Sequence, residues 1–205
     1  SLDSVLSFTD VLPGVYEGGF KLWECSLDLV RFMHEGSLSL AGSVLEIGCG
    51  HGLPGVLALQ RGARRVVFQD LNKDVLLHAT MPTVQVNCED RLPPAAEFWC
   101  GDWVSTVERL TPADAFDLML SAETLYNTAT YPTLLALLEG HLSPEGVALF
   151  AAKRFYFGVG GSTSAFETAV EAYPGLVAKS VAVFEDGGSN IREILEVRRA
   201  PSGTK

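Results

Sequence analysis

A short apolar strand that runs straight into a glycine turn limits this chain more than any other feature. Val44-Leu45-Glu46-Ile47 is followed at once by Gly48-Cys49-Gly50-His51-Gly52. Glycines in series let a backbone turn tightly and approach a ligand with no Cβ in the way. Leu53 to Gln60 then has the length of a helix, with Gly62 as its stop. Strand, glycine turn and helix in succession open a parallel α/β sheet, whose strands are covered on both faces and read as unbroken apolar runs.

The alternation continues along the chain. Strands are expected at Val66-Val67-Phe68, at Glu97 to Cys100, at Phe116 to Leu120 and at Gly146 to Ala152. Helices are expected at Leu22 to Met33, from Lys73 with Asn72 as its cap, at Tyr131 to His141, and at Ser162 to Tyr173. Leu176 to Phe184 and Ile191 to Arg198 read as strands joined by the turn Asp186-Gly187-Gly188-Ser189-Asn190. The expected fold is a doubly wound, seven-stranded, mostly parallel α/β sheet closed by a C-terminal antiparallel hairpin. The 205 residues fit one domain, placed at 22–199 between an irregular N-terminal arm (1–21) and a frayed tail (200–205).

Composition removes several functions. The formal net charge is −10, and the only basic clusters are Arg61/Arg64/Arg65 and Arg198/Arg199. Phosphate backbones need more than that, so no direct nucleic-acid binding is expected, and an acidic surface favours a basic protein partner. No apolar run reaches bilayer length and no leader pattern opens the chain, which gives the expectation of a soluble intracellular monomer, cytoplasmic or nuclear, with no membrane partner. Cys25, Cys49, Cys88 and Cys100 lack metal-site spacing and are expected as buried thiols; no metal is expected, and His34, His78 and His141 are given no role.

Open parallel sheets bind ligands outside the carboxyl ends of their strands. Four strands in turn deliver a carboxylate to that edge: Glu46, Asp70, Asp102 and Glu123. Gly50-x-Gly52-x-x-Gly55 with Asp70 behind it also fits a dinucleotide fingerprint. A nicotinamide site, however, seats a pyrophosphate on the helix N-terminus. Glu46 and Asp102 would repel that group and would suit the cationic sulfonium and amino group of S-adenosylmethionine, while Asp70 could accept from ribose hydroxyls in either case. No Lys-Ser/Thr follows the glycines, which excludes a phosphate loop. Trp103 is either an adenine platform or a core residue; His51 is either a base or a polar turn residue.

Glu46-x-Gly48-x-Gly50-x-Gly52, Asp70 and Gly101-Asp102-Trp103 resemble the seven-β-strand, Rossmann-like methyltransferases. Glu123-Thr124-Leu125-Tyr126 resembles the acid-x-x-aromatic signature of their protein-methylating branch. Trp23-Glu24-Cys25, Phe68-Gln69-Asp70 and Tyr156-Phe157-Gly158-Val159-Gly160-Gly161 are more specific, and resemble the eukaryotic protein-histidine N-methyltransferases that modify a large-subunit ribosomal protein. The resemblance implies S-adenosylmethionine as donor. It implies donor contacts at Leu22, Trp23, Glu24, Cys25, Ser26, Gly48, Gln69, Asp70, Leu71, Gly101, Asp102, Trp103 and Ser121, with Glu46 and Gly50 in the same turn. Glu123 and Tyr126 would face the target side chain; from the residues themselves, Tyr126 and Phe157 are each either a wall of the acceptor pocket or core packing. The acceptor it implies is a histidine of a basic, ribosomal protein. A protein-lysine methyltransferase, a nicotinamide-dependent oxidoreductase and a non-catalytic module of the same fold are the alternatives.

Overall fold

The computed structural model describes residues 15–158, 160–185, 187 and 191–201. Residues 1–14 of the expected arm, Val159, most of the expected hairpin turn (Asp186 and Gly188 to Asn190) and the tail from Ser202 lie outside the described residues. The elements run α1 Glu24–Glu35, β1 Ser43–Ile47, α2 Leu53–Gln60, β2 Arg65–Asp70, α3 over 73–87, β3 Ala96–Cys100, α4 Trp103–Arg109, β4 Phe116–Ala122, α5 Tyr131–His141, β5 Leu142–Lys153, α6 Thr163–Glu171, β6 Leu176–Phe184 and β7 Arg192–Arg199. Helix α3 is interrupted by a π turn, Leu76–Thr80, between Lys73–Val75 and Met81–Asn87.

One seven-stranded sheet results, in the order β3-β2-β1-β4-β5-β7-β6. Strands β1 to β5 pair in parallel, and β7 runs antiparallel to both β5 and β6. The expected doubly wound sheet with an antiparallel end is therefore the fold. Because β1 pairs with both β2 and β4, the strand order reverses beside it, and Ile47 lies level with Gln69 on one side and Ser121 on the other. The loops that follow these strands leave the sheet at a common edge, the position at which such sheets open a crevice.

Side chains alternate across the sheet with period two. Val44, Val66, Phe68, Leu118 and Leu120 pack with Cys25, Leu29 and Met33 of α1 and with α2 and α3. Leu45, Ile47, Val67 and Met119 pack on the opposite face with Leu134, Leu138, Phe166 and Val170 of α5 and α6. Asp28 is buried within α1, and the Arg192 Nε donates to its Oδ2 at 2.5 Å, tying α1 to β7.

Three details differ from the sequence reading. Helix α4 was not expected: its apolar periodicity is weak, and its start is set by Asp102, whose Oδ1 accepts from the Ser105 N–H at 2.7 Å. Asn72 stands at the N-cap of α3 as expected but makes no side-chain capping bond; its amide donates to the Val15 carbonyl at 2.8 Å, which holds the arm against that helix. Of the four thiols, Cys25 and Cys49 are buried, whereas Cys88 is half-buried and Cys100 is exposed, since β3 is an edge strand.

Candidate active site

The glycine turn after β1 is held in an unusual backbone shape. Gly48, Gly50 and Gly52 all have positive φ, at 61°, 51° and 71°. A Cβ on Gly48 would sit 2.9 Å from Thr124, so glycine is also required there for space. The turn is laced to its neighbours. The Gly48 N–H donates to Gln69 Oε1 at 3.2 Å, and Gln69 Nε2 donates to the Gly101 carbonyl at 2.6 Å. The Gly50 N–H and the Asn72 N–H donate to the two oxygens of Asp70, each at 3.0 Å. Thr80, at the end of the π turn, donates to the Gly50 carbonyl at 2.6 Å.

Above this edge lies a cavity of about 470 Å³, within the range of small-molecule sites. Leu22, Trp23, Ser26, Gly48, Gly50, Asp70, Leu71, Asp102, Trp103, Glu123 and Tyr126 line it, all of them singled out from the sequence. Burial pushes the Asp70 carboxyl up from its ordinary range, although backbone N–H groups oppose the shift. The backbone N–H of Ser105 holds Asp102 low. His51 also lines the cavity, and burial moves its imidazole below 6.5, towards the neutral form.

Six of the expected residues stand behind that wall. Gln69 and Gly101 brace the turn, as above. Ser121 is buried; its hydroxyl donates to the Ile47 carbonyl at 2.9 Å and lies 2.7 Å from that of Thr124. Glu24 opens α1 on the exposed side. Cys25 is buried, its thiol pushed up by burial and by the neighbouring Glu123. Glu46 was expected to face a ligand cation and does not. It shares strand parity with Val44, which turns it under α2, where its Oε2 accepts from the Gly55 N–H at 2.8 Å. Gly55 allows this approach: a Cβ there would lie 2.5 Å from that oxygen.

Burial raises Glu46 from an ordinary 4.5 to about 8. The folded chain therefore holds this proton more tightly than the unfolded chain does. The stabilisation is complete below pH 4.5 and is lost as pH rises through about 8. Glu46→Gln should flatten that part of the profile. In urea titrations the variant should gain on the order of a few kcal/mol over wild type between pH 5 and pH 8, with donor affinity unchanged. Equal pH slopes for the two proteins, or a tenfold loss of donor affinity, would return Glu46 to the ligand wall.

At the other end of the cavity, Glu123 stands immediately after β4 with φ of 59°, a left-handed conformation that a non-glycine residue rarely adopts. It is 8% exposed, and its N–H donates to the Ala151 carbonyl at 2.9 Å. The Tyr156 hydroxyl donates to its Oε2 at 2.7 Å, and Lys153 Nζ lies 3.7 Å from its Oε1. That Oε1 is buried and has no hydrogen-bond partner among the described residues. Burial and the adjacent Glu123 push the Tyr156 phenol up, so it remains a protonated donor. Tyr126 donates to Glu17 of the arm and meets Tyr156 edge to face, with ring centroids 6.2 Å apart. Trp23 donates from Nε1 to the Gly18 carbonyl at 3.0 Å, and its ring carries Lys21 Nζ at 4.6 Å and Lys153 Nζ at 5.4 Å.

Phe157 is not a pocket wall: it is 80% exposed, and Tyr156 takes the inward place. The loop is fixed by the Gly161 N–H, which donates to the Tyr126 carbonyl at 3.0 Å; a Cβ on Gly161 would lie 2.1 Å from the Leu125 carbonyl oxygen. Sequence reading assigned no role to Glu17 or Lys153. Both lie in segments whose patterns gave no hint of where the chain would fold back.

The cavity fits a cation-bearing nucleoside better than a pyrophosphate. Glu17, Asp70, Asp102 and Glu123 line it against a single lysine, Lys21, and such a wall repels a dianionic bridge while it accepts a sulfonium, an amino group and a ribose diol. Among the described residues no His/Cys/Asp/Glu group could hold a metal.

Comparison with known proteins agrees with this fold and edge. The mitomycin 7-O-methyltransferase MmcR superposes with a TM-score of 0.62 at 19% identity, over 85% of this chain and 54% of that one, a likeness of fold alone. The fold class is the Rossmann-like α/β sheet. A family model described as lysine methyltransferase matches residues 13–159, and the chain belongs to that methyltransferase family, whose cofactor is S-adenosylmethionine. Within the family it is 43% identical over 196 residues to the histidine protein methyltransferase 1 homolog of Dictyostelium discoideum, covering 95% of this chain and 62% of the relative. It is 35% identical over 209 residues to the rat homolog, covering 90% and 58%. The chain thus spans about three fifths of the length of these curated relatives.

Proposed function

We propose that this protein transfers a methyl group from S-adenosylmethionine to a histidine ring nitrogen of a basic protein. The observation that carries the reading is Glu123, a buried carboxylate that lines the cavity, fixed through Oε2 by the Tyr156 hydroxyl. A neutral imidazole offers one N–H and one lone pair on opposite sides of its ring. An N–H given to Glu123 would fix the tautomer and aim the other nitrogen along the line of attack.

The bound cofactor supplies an electrophilic methyl on a sulfonium. Asp70 and the Gly48–Gly50 backbone would hold its ribose and amino-acid ends, with Trp103 beside the base. Tyr126 and Trp23, which line the same cavity, would wall the path between donor and acceptor. Alignment of nucleophile and methyl is then the main source of rate, and Glu123 balances the positive charge that the ring gains. The nitrogen remote from the backbone is the less hindered one, which favours it as the target. The net charge of −10 favours a basic acceptor protein, and the similarity to histidine protein methyltransferases favours histidine as its target.

The test is fragmentation of the peptide labelled in a lysate. Methylhistidine is expected, lost in a His→Gln substrate. The acceptor-limited rate should rise with pH and level off above about pH 7, as an imidazole with pKa ~6.5 becomes neutral. A label that survives His→Gln and disappears with Lys→Arg would move the acceptor to lysine.

A further inference from the structure

The acceptor carboxylate does not stand alone. Lys153 ends β5 beside Glu123, with its side chain largely buried and its ammonium 3.7 Å from Glu123 Oε1. The same ammonium lies over the rings of Trp23 and Tyr156, at 5.4 Å and 6.0 Å, so aromatic faces also hold it in place. Nearby, Glu17 accepts a hydrogen bond from Tyr126, and Asp28 pairs with Arg192. Glu123 therefore lines the cavity with its charge partly offset by Lys153, on the side of Oε1, while Oε2 is held by Tyr156.

These two facts have different consequences for the two side chains that relatives of this fold modify. An amine arrives mostly as an ammonium, with no lone pair and a full charge. At Glu123 it would have to share the carboxylate with Lys153, which it would meet as a fixed like charge at close range. An imidazole arrives mostly neutral and needs only a hydrogen-bond acceptor, which the partly offset carboxylate still provides. We infer that Lys153 is a specificity-determining residue that selects a neutral imidazole over a protonated amine at the acceptor site. The inference rests on the histidine reading above. It adds the device by which lysine is refused, an unfavourable contact for the wrong substrate beside the favourable one for the right substrate.

Three variants decide it. Lys153→Gln removes the charge, Lys153→Arg keeps it, and Lys179→Gln removes an exposed lysine of β6 that pairs with Glu196 at 3.1 Å, far along the chain from the cavity. Each is incubated with a heat-inactivated lysate and labelled donor, and the ratio of methyllysine to methylhistidine is read from the hydrolysate. Lys153→Gln should raise that ratio roughly tenfold or more, the effect of lifting one close like-charge contact. Lys153→Arg and Lys179→Gln should leave it at the wild-type value.

A second readout needs no turnover: calorimetric affinity, with demethylated cofactor present, for the acceptor peptide carrying histidine or lysine at the target. Lys153→Gln should tighten binding of the lysine peptide and leave that of the histidine peptide within about twofold. An unchanged ratio in a folded Lys153→Gln, or a raised one in Lys153→Arg, overturns the role of Lys153 while the histidine reading stands. A wild-type label found on lysine overturns both. Should Lys153→Gln fail to fold, a lysine peptide that binds the wild type as tightly as the histidine peptide does overturns the inference.

Discussion

Glu123→Gln should lower turnover by about 10²–10³-fold while donor affinity stays within about twofold of wild type. Glutamine preserves the shape, and its amide oxygen can still accept from the Tyr156 hydroxyl that now donates at 2.7 Å. What it loses is charge. The cation that this charge stabilises is weak in the bound reactants and grows as the methyl moves, so the loss falls on the transition state rather than on binding. Steady-state kinetics at saturating donor, paired with calorimetry of the demethylated cofactor, separates the two. An unchanged turnover number with lost donor affinity would assign Glu123 to the donor end.

Asp70→Ala should weaken donor binding by roughly 1.5–3 kcal/mol, or about 10- to 150-fold, the worth of charge-assisted bonds to two ribose hydroxyls. Asp70 has a second duty, since its two oxygens also accept the N–H groups of Gly50 and Asn72. Alanine would strand both donors, and the glycine turn should lose order along with the ribose contact. Asp70→Asn distinguishes these effects: its amide oxygen can keep one backbone bond, so it should recover thermal stability while donor binding remains impaired. Full donor affinity in either variant, measured by calorimetry, would remove Asp70 from the site.

The carboxylates at the strand ends were legible because a parallel sheet sends every strand end to one edge, so position along the strand was enough. Direction needed one further step. Glu46 has the parity of Val44, a residue that packs against α1 and α2, and the same alternation that placed the core could have turned Glu46 under the helix. Gln69 and Ser121 were correctly placed at the edge, but their hydrogen bonds run sideways to Gly101 and Ile47, a matter of side-chain geometry that no spacing encodes. Helix α4 was hidden because its first turn is set by the Asp102 cap rather than by an apolar stripe. The pairing of Glu17 with Tyr126 joins positions 109 residues apart, and such contacts are settled only when the chain has folded. Phe157 misled because aromatic content alone does not say which of two neighbouring rings turns inward.

The π turn in α3 acts as a phase setter for the rest of that helix. An α-helix advances about 100° per residue, so one residue accommodated in a wide turn rotates everything beyond it by that angle relative to everything before it. Before the turn, Asn72 and Val75 meet the arm at Val15 and Gly19. At its end, Thr80 reaches the Gly50 carbonyl. A regular helix could satisfy one of these two engagements but would swing the other face away. The added residue thus lets a single rod grip the arm and the glycine turn at once, and deleting one position between Leu76 and Thr80 would disconnect them without removing any residue that touches the cavity.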